Sequence, residues 1–218
     1  MFNLIKITIL LVSLCASSNV FSKLHGSDIF EKAAPGVVVV LNKSSMASGV
    51  IISEQGHILT NWHVVTEHEV MTVSLFGTTS FEESLYKVEL LKIDKIKDLA
   101  LIKIIDPPNN LKVVNLSRVI PQIGDEVHAI GHPEGEIWSY TMGFISQHRQ
   151  DYTWNYSDTE YFKSDVFQMQ TPIYPGNSGG PLLNKYGNLV GLNTFITKDK
   201  DSINYAVTVE EIIKFLSN

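Results

Sequence analysis

The sequence predicts an all-β fold of barrels or sandwiches that ends in one short α-helix. Three observations carry this expectation. Short apolar runs rich in Val and Ile recur about every ten residues between glycine-containing or polar turns. That spacing argues against βαβ units, which alternate strands with longer helical patterns. Only the last stretch, Val209-Glu210-Glu211-Ile212-Ile213-Lys214-Phe215-Leu216, places apolar residues at i, i+3, i+4 and i+7, the repeat of an amphipathic helix.

The elements follow in chain order. Residues 1–22 read as a signal peptide: Lys6 supplies the positive start, Ile7 to Leu14 the apolar run, and Val20-Phe21-Ser22 the residues before a cut near Lys23. The apolar run is too short to span a bilayer. Cys15 is the only cysteine, and Leu14 directly before it argues against a lipoprotein cleavage site. The mature chain is therefore expected to be cysteine-free, secreted or periplasmic, and without a stable membrane anchor. Its stability must come from an ordinary core. Strands are expected over Gly36–Leu41, Ser48–Ser53, His57–Thr60, Val70–Phe76, Lys87–Ile93 and Leu99–Ile105, with Glu54-Gln55-Gly56 as a turn. Pro107-Pro108-Asn109-Asn110 breaks the series, and Ile123-Gly124-Asp125-Glu126 opens a second run of strands. The expected domains are 23–112 and 113–218.

Composition removes several function classes. The net charge of −6 carries no basic stripe, so nucleic acid is not an expected partner. His63 and His68 enclose four residues, one too many for the H-x-x-E-H zinc pattern, and no metal or cofactor is expected.

Tyr174-Pro175-Gly176-Asn177-Ser178-Gly179-Gly180-Pro181 sets one serine among three glycines and two prolines. Such a stretch is either a tight hairpin turn or a nucleophilic serine whose neighbouring amides face a developing oxyanion. Chain order separates the hydrolase designs. The nucleophile elbow of α/β-hydrolases needs a histidine after the serine, and the last histidine is His148. The subtilisin order needs an acid well before the histidine, where only Asp28 and a few glutamates stand. The order His, Asp, Ser remains. His63, just after a strand in Leu59-Thr60-Asn61-Trp62-His63-Val64-Val65, is the early histidine, although a lone histidine among apolar residues is more often structural. Asp98, directly before the alternating run Leu99-Ala100-Leu101-Ile102, is the central aspartate. Its nearest competitor is Asp94, in a more charged turn.

Together these stretches resemble the chymotrypsin-like serine proteases, most closely the high-temperature-requirement (HtrA/Deg-like) family, over nearly the whole mature chain. Ser48-Gly49-Val50-Ile51-Ile52 with Gly56-His57-Ile58-Leu59-Thr60-Asn61 is similar to that family's hairpin before its histidine. Asp98-Leu99-Ala100-Leu101 is similar to its aspartate strand. Ala129-Ile130-Gly131-His132-Pro133 is similar to its second-domain opening, and Gln170-Thr171 through Asn193-Thr194 to its serine region. The resemblance implies two six-stranded antiparallel β-barrels, and a serine endopeptidase acting on proteins or peptides. Ser178 would be the nucleophile, His63 the base and Asp98 its orienting acid. The oxyanion hole would lie at Gly176, Asn177 and Ser178, and Thr194 would support the aspartate. Pro172 stands where relatives with basic specificity carry an aspartate, and Thr194-Phe195-Ile196 would form the pocket wall. The expected pocket therefore takes small or medium apolar side chains. Asn177 replaces the aspartate that pairs with a freed N-terminus in pancreatic-type relatives, so no such activation is expected.

Three departures stand out. Trp62 puts a large ring beside His63. A PDZ module, usual in the closest relatives, is not expected after Asn218. His148 to Asp165 reads as a long loop rich in aromatic residues. A rival from another class is a binding or chaperone-like module that keeps the fold without turnover.

Overall fold

The computed structural model describes residues 23–42, 45–66, 71–77, 85–155, 161–196 and 203–218; the expected signal peptide, residues 1–22, lies outside them. Helix α1 (Gly26–Ala33) leads into the first run of strands: β1 (Val37–Leu41), β2 (Met46–Ile51), β3 (His57–Thr60), β4 (Thr72–Ser74), β5 (Leu85–Asp94) and β6 (Leu99–Ile104). The second run is β7 (Glu126–Gly131), β8 (Ser139–Asn155), β9 (Tyr161–Met169), β10 (Pro181–Asn184), β11 (Leu189–Ile196) and β12 (Asn204–Thr208). Helix α2 (Val209–Ser217) ends the chain. Each run closes into an antiparallel barrel, in the orders β1-β2-β3-β6-β5-β4 and β10-β11-β12-β9-β8-β7. The chymotrypsin-like fold expected from the sequence is thus observed.

Closure leaves no open sheet edge in either barrel. The inward side chains divide into three cores. Val38, Val40, Ile51, Ile58, Val73 and Ile102 fill the first barrel. Val127, Ile145, Phe167, Met169, Leu182 and Ala206 fill the second. The third core is the seam, where Val37, Val50, Leu59 and Leu99 of the first barrel meet Ile130, Leu183, Leu192 and Val207 of the second. β1 is apolar along its length because it serves two of these cores: Val37 faces the seam, and Val38 and Val40 face the first barrel.

Two elements differ from the expectation. Residues 148–165 are not a long loop but the outer part of the β8–β9 hairpin, with only 156–160 outside the described residues. Tyr152, Trp154, Tyr161 and Phe162 of the expected loop lie on these two strands. Trp154 and Phe162 stack at 5.5 Å and are buried in the seam, and Tyr152 stacks on Tyr205 at 4.9 Å. Helix α1 has no sequence expectation behind it. Asp28 Oδ2 accepts from His25 N at 3.0 Å at its start. Ile29 and Ala33, four residues apart and both buried, fix it to the seam. Lys23 pairs with Glu126, and Lys32 donates to the Tyr186 carbonyl, so this helix rests on the second barrel.

Candidate active site

The site lies at the seam, and each barrel contributes half of it. β3 delivers the chain to Asn61-Trp62-His63, and the turn between β5 and β6 delivers Asp98 opposite it. Asp98 is fully buried and adopts φ 57°, a left-handed conformation that aspartate tolerates better than most residues. Its carboxylate is satisfied on every side. Oδ1 accepts from His63 N at 2.9 Å, and His63 Nδ1 lies 2.8 Å from Oδ2 and 3.0 Å from Oδ1. The Thr194 hydroxyl donates to Oδ2 at 2.6 Å. An ionised carboxylate only accepts, so His63 carries its proton on Nδ1 and presents Nε2 as the lone-pair nitrogen. The competitor Asp94 instead accepts from Lys97 N at 3.0 Å within its own turn.

The second half is the turn at 174–180. Asn177 N donates to Tyr174 O at 3.0 Å, and Gly180 N to Asn177 O at 2.9 Å. Gly176 has φ 103°, and a Cβ there would fall 2.1 Å from the His132 carbonyl oxygen. Gly179 has φ 80°, and its Cβ would fall 2.3 Å from both Ser48 O and Thr60 Oγ1. Only glycine fits at either place. The amides of Gly176 and Ser178 donate to no other group among the described residues. Ser178 Oγ donates to the Thr194 carbonyl at 3.1 Å. Thr194 therefore touches both halves, through its hydroxyl to Asp98 and its carbonyl to Ser178. It sits at the register shift between Asn193 and Phe195 in the β11–β12 pairing, and a bulge is how a strand re-aims one residue.

Ser48 joins the halves from the other side, a role the sequence did not reveal. On β2, its backbone N donates to Ser178 O at 2.9 Å and its Oγ to Gly176 O at 2.7 Å, so one residue of the first barrel grips the serine turn twice. Thr60 Oγ1 in turn holds the Ser48 carbonyl at 2.8 Å. The only hint in the sequence was a polar residue opening an apolar strand.

His132 was quoted only as part of a strand-ending motif. It is fully buried, its carbonyl abuts Gly176, and its Nδ1 accepts from Trp138 N at 3.0 Å. Nε2 has no well-aligned acceptor, though the Val38 carbonyl lies near enough to favour its proton. Burial outweighs that carbonyl and lowers the pKa to about 4, so the ring is neutral near pH 7. Glu134 N donates to Pro175 O at 2.8 Å, so the segment after β7 braces the serine turn along its outer side.

Around the expected pocket, Pro172 is exposed and its carbonyl accepts from Thr141 Oγ1 at 2.8 Å. Asn204, which the sequence did not single out, is buried on β12 opposite Ile196 and donates Nδ2 to the Thr171 carbonyl at 2.7 Å. The backbones of Phe195 and Ile196 pair in β11, while their side chains, expected to form the pocket wall with Thr194, lie outside the described residues. No cluster of His, Cys, Asp or Glu able to hold a metal occurs among the described residues.

Comparison with known proteins identifies the family of the chain. A family profile described as a trypsin-like peptidase domain matches residues 47–192. The serine protease HTRA1A of Danio rerio is 34% identical over 206 residues, spanning 88% of this chain and 40% of the relative. The chloroplastic Protease Do-like 1 of Arabidopsis thaliana is 32% identical over 184 residues, spanning 77% and 40%. The chain thus covers about 40% of the length of the curated relatives it matches. Among solved structures, a serine endoprotease from Yersinia pestis superposes with TM-score 0.74 at 31% identity, covering 89% of this chain and 66% of that one.

Proposed function

Because the chain belongs to the trypsin-like peptidase family, we propose that it is a serine endopeptidase of the HtrA type in which Ser178, His63 and Asp98 carry the reaction. One observation carries the proposal. The buried Asp98 carboxylate holds both the ring and the backbone of His63, and Thr194 links that carboxylate to Ser178.

In this reading Ser178 Oγ swings from the Thr194 carbonyl towards His63 Nε2 and attacks the scissile carbonyl carbon, while Nε2 takes its proton. A loose contact before substrate binds is common in such sites. The imidazolium that forms is stabilised by Asp98, and it then protonates the leaving amine as the acyl-enzyme forms. Water enters by the same route in reverse: His63 deprotonates it, the acyl carbon is attacked, and Ser178 is released. The Gly176 and Ser178 amides, with Asn177 shaping the turn between them, would receive the oxyanion; removing one such donor typically costs about 3 kcal/mol of barrier.

The same proposal assigns small or medium apolar side chains to the primary pocket. Pro172 offers no carboxylate to a lysine or arginine, and Asn204 offers only a neutral amide already bonded to Thr171. Secretion or export to a periplasm rests on Lys6, the apolar run Ile7 to Leu14 and Val20-Phe21-Ser22.

A serine-reactive fluorophosphonate probe tests the reaction. The wild-type protein should be labelled and Ser178→Ala should not. Asp98→Asn should lower kcat by about 10⁴-fold, and Asp94→Asn should leave it unchanged. An unlabelled wild type would favour the binding-module reading; activity lost in Asp94→Asn and kept in Asp98→Asn would overturn the aspartate. Dominant cleavage after Arg or Lys in a peptide library would overturn the pocket.

A further inference from the structure

The turn that carries Asp98 is held by the opposite barrel. Four consecutive residues, Lys95 to Asp98, join β5 to β6 and each has a partner beyond that hairpin. Lys95 Nζ lies 4.9 Å from the centre of the Trp62 ring, the residue before His63. The Ile96 carbonyl accepts from Lys163 N at 2.7 Å, from the far end of the β8–β9 hairpin. Lys97 Nζ forms a close ion pair with Glu211 on α2. Asp98 accepts from Thr194 on β11. Three of the four partners belong to the second barrel or to the helix α2 that follows it, and the second barrel also carries Ser178 and the turn around it.

The Lys97–Glu211 pair differs from an ordinary surface ion pair, which contributes little. The Glu211 side chain is only 5% exposed. Burial pushes its carboxyl upward, and Lys214, donating to Oε1 at 2.5 Å, and Lys97 overcome this and hold it below the usual carboxylate range. A carboxylate held in this way is costly to leave without one of its cations. The helix end is tied too, since Lys92 on β5 donates to the Phe215 carbonyl and its ammonium lies 4.9 Å from the Phe215 ring centre.

We propose that the outer β8–β9 hairpin and α2 form a latch on the Lys95–Asp98 turn, and that Lys97 and Glu211 are positioning residues for the His63–Asp98 pair. This rests on the peptidase reading above. The latch acts through Asp98. Its left-handed φ leaves the carboxylate direction dependent on where the turn sits, and the turn is located by contacts on the barrel that also carries the nucleophile. Releasing Lys97 should let the carboxylate drift from His63 without touching substrate-binding groups.

The test compares Lys97→Met, Glu211→Gln and the conservative Lys97→Arg in the full chain. Turnover is scaled to active sites titrated with the fluorophosphonate probe, and the His63 Nδ1 proton is followed by NMR. The Met and Gln variants should lose about 10-fold in kcat with KM within about two-fold, since a small misplacement far from the chemistry is costly. The Nδ1 proton resonance of His63 should move upfield as its hydrogen bond to the Asp98 carboxylate loosens. Lys97→Arg should keep both values near wild type. Unchanged kcat per titrated site with an unmoved His63 proton signal, whatever happens to Tm, would overturn the latch and leave only a structural ion pair. The NMR arm needs no turnover. A moved His63 proton signal in the Met and Gln variants, beside a wild type that takes up no probe, would therefore sustain the latch while the peptidase reading failed.

Discussion

Thr194→Val offers the sharpest test of how the two barrels cooperate. Valine has nearly the shape of threonine, so the change replaces the donating hydroxyl with a methyl group that can donate nothing. That hydroxyl donates to Asp98 Oδ2 at 2.6 Å, and Asp98 is fully buried. The carboxylate would keep the ring and backbone N–H of His63 and lose its partner from the second barrel. A hydrogen bond to a charged group contributes about 1.5–3 kcal/mol. In the proposed reaction the loss should appear mainly in the transition state, because there Asp98 would face an imidazolium rather than a neutral ring. At 1.4 kcal/mol per factor of ten, kcat/KM should fall about 10- to 150-fold. This stays well below the roughly 10⁴-fold expected when the aspartate itself becomes asparagine. Thr194→Ser keeps the hydroxyl and should stay within a few-fold of wild type. Peptide hydrolysis scaled to probe-titrated active sites separates lost rate from lost protein. A loss under three-fold in Thr194→Val, or an equal loss in Thr194→Ser, would refute the reasoning.

Other substitutions probe the remaining supports. Ser48→Ala removes the hydroxyl that bonds Gly176 O and leaves the backbone bond to Ser178; we expect about 1 kcal/mol of lost stability and a kcat loss larger than the KM change, and a KM-only effect would count against its role in shaping the serine turn. Gly179→Ala forces a Cβ to within 2.3 Å of Ser48 O at φ 80°, so probe labelling should be abolished or the midpoint of unfolding lowered by several degrees; wild-type labelling and stability would contradict that geometry. His132 should make the protein acid-sensitive. Its pKa falls from 6.5 in the unfolded chain to about 4 in the fold, so the unfolded state binds more protons between those values and stability declines as pH drops through that window. The shift corresponds to about 3 kcal/mol once pH is below 4. Urea unfolding at pH 7 and 4.5 should show a smaller difference in His132→Gln than in wild type, and equal differences would refute this source. Glu211 works in the same direction but lower, since its depressed carboxyl loses its contribution only as pH falls below the ordinary glutamate range.

Much of this protein was determined by local sequence. The strand spacing, the turns at Gly56 and at 107–110, and the repeat in Val209–Leu216 are short-range signals. They correspond to the strands of both barrels and to α2. The order of His63, Asp98 and Ser178 is also a property of the linear chain, and it removed two hydrolase designs before any geometry was known. What only the tertiary structure decided are the relations across the seam. Ser48 sits more than a hundred residues before Gly176, and nothing near it in the chain marks it as a support for the serine turn. Trp154 and Phe162 read as part of a loop because they are buried in the seam between the barrels rather than inside their own barrel. His132 looked like the end of a strand, and its neutral state follows from burial that no local pattern encodes. Local sequence sets the backbone's hydrogen-bonding habit and the spacing of its turns. The two halves of this site lie on different barrels, and their alignment depends on contacts between residues that the chain keeps far apart.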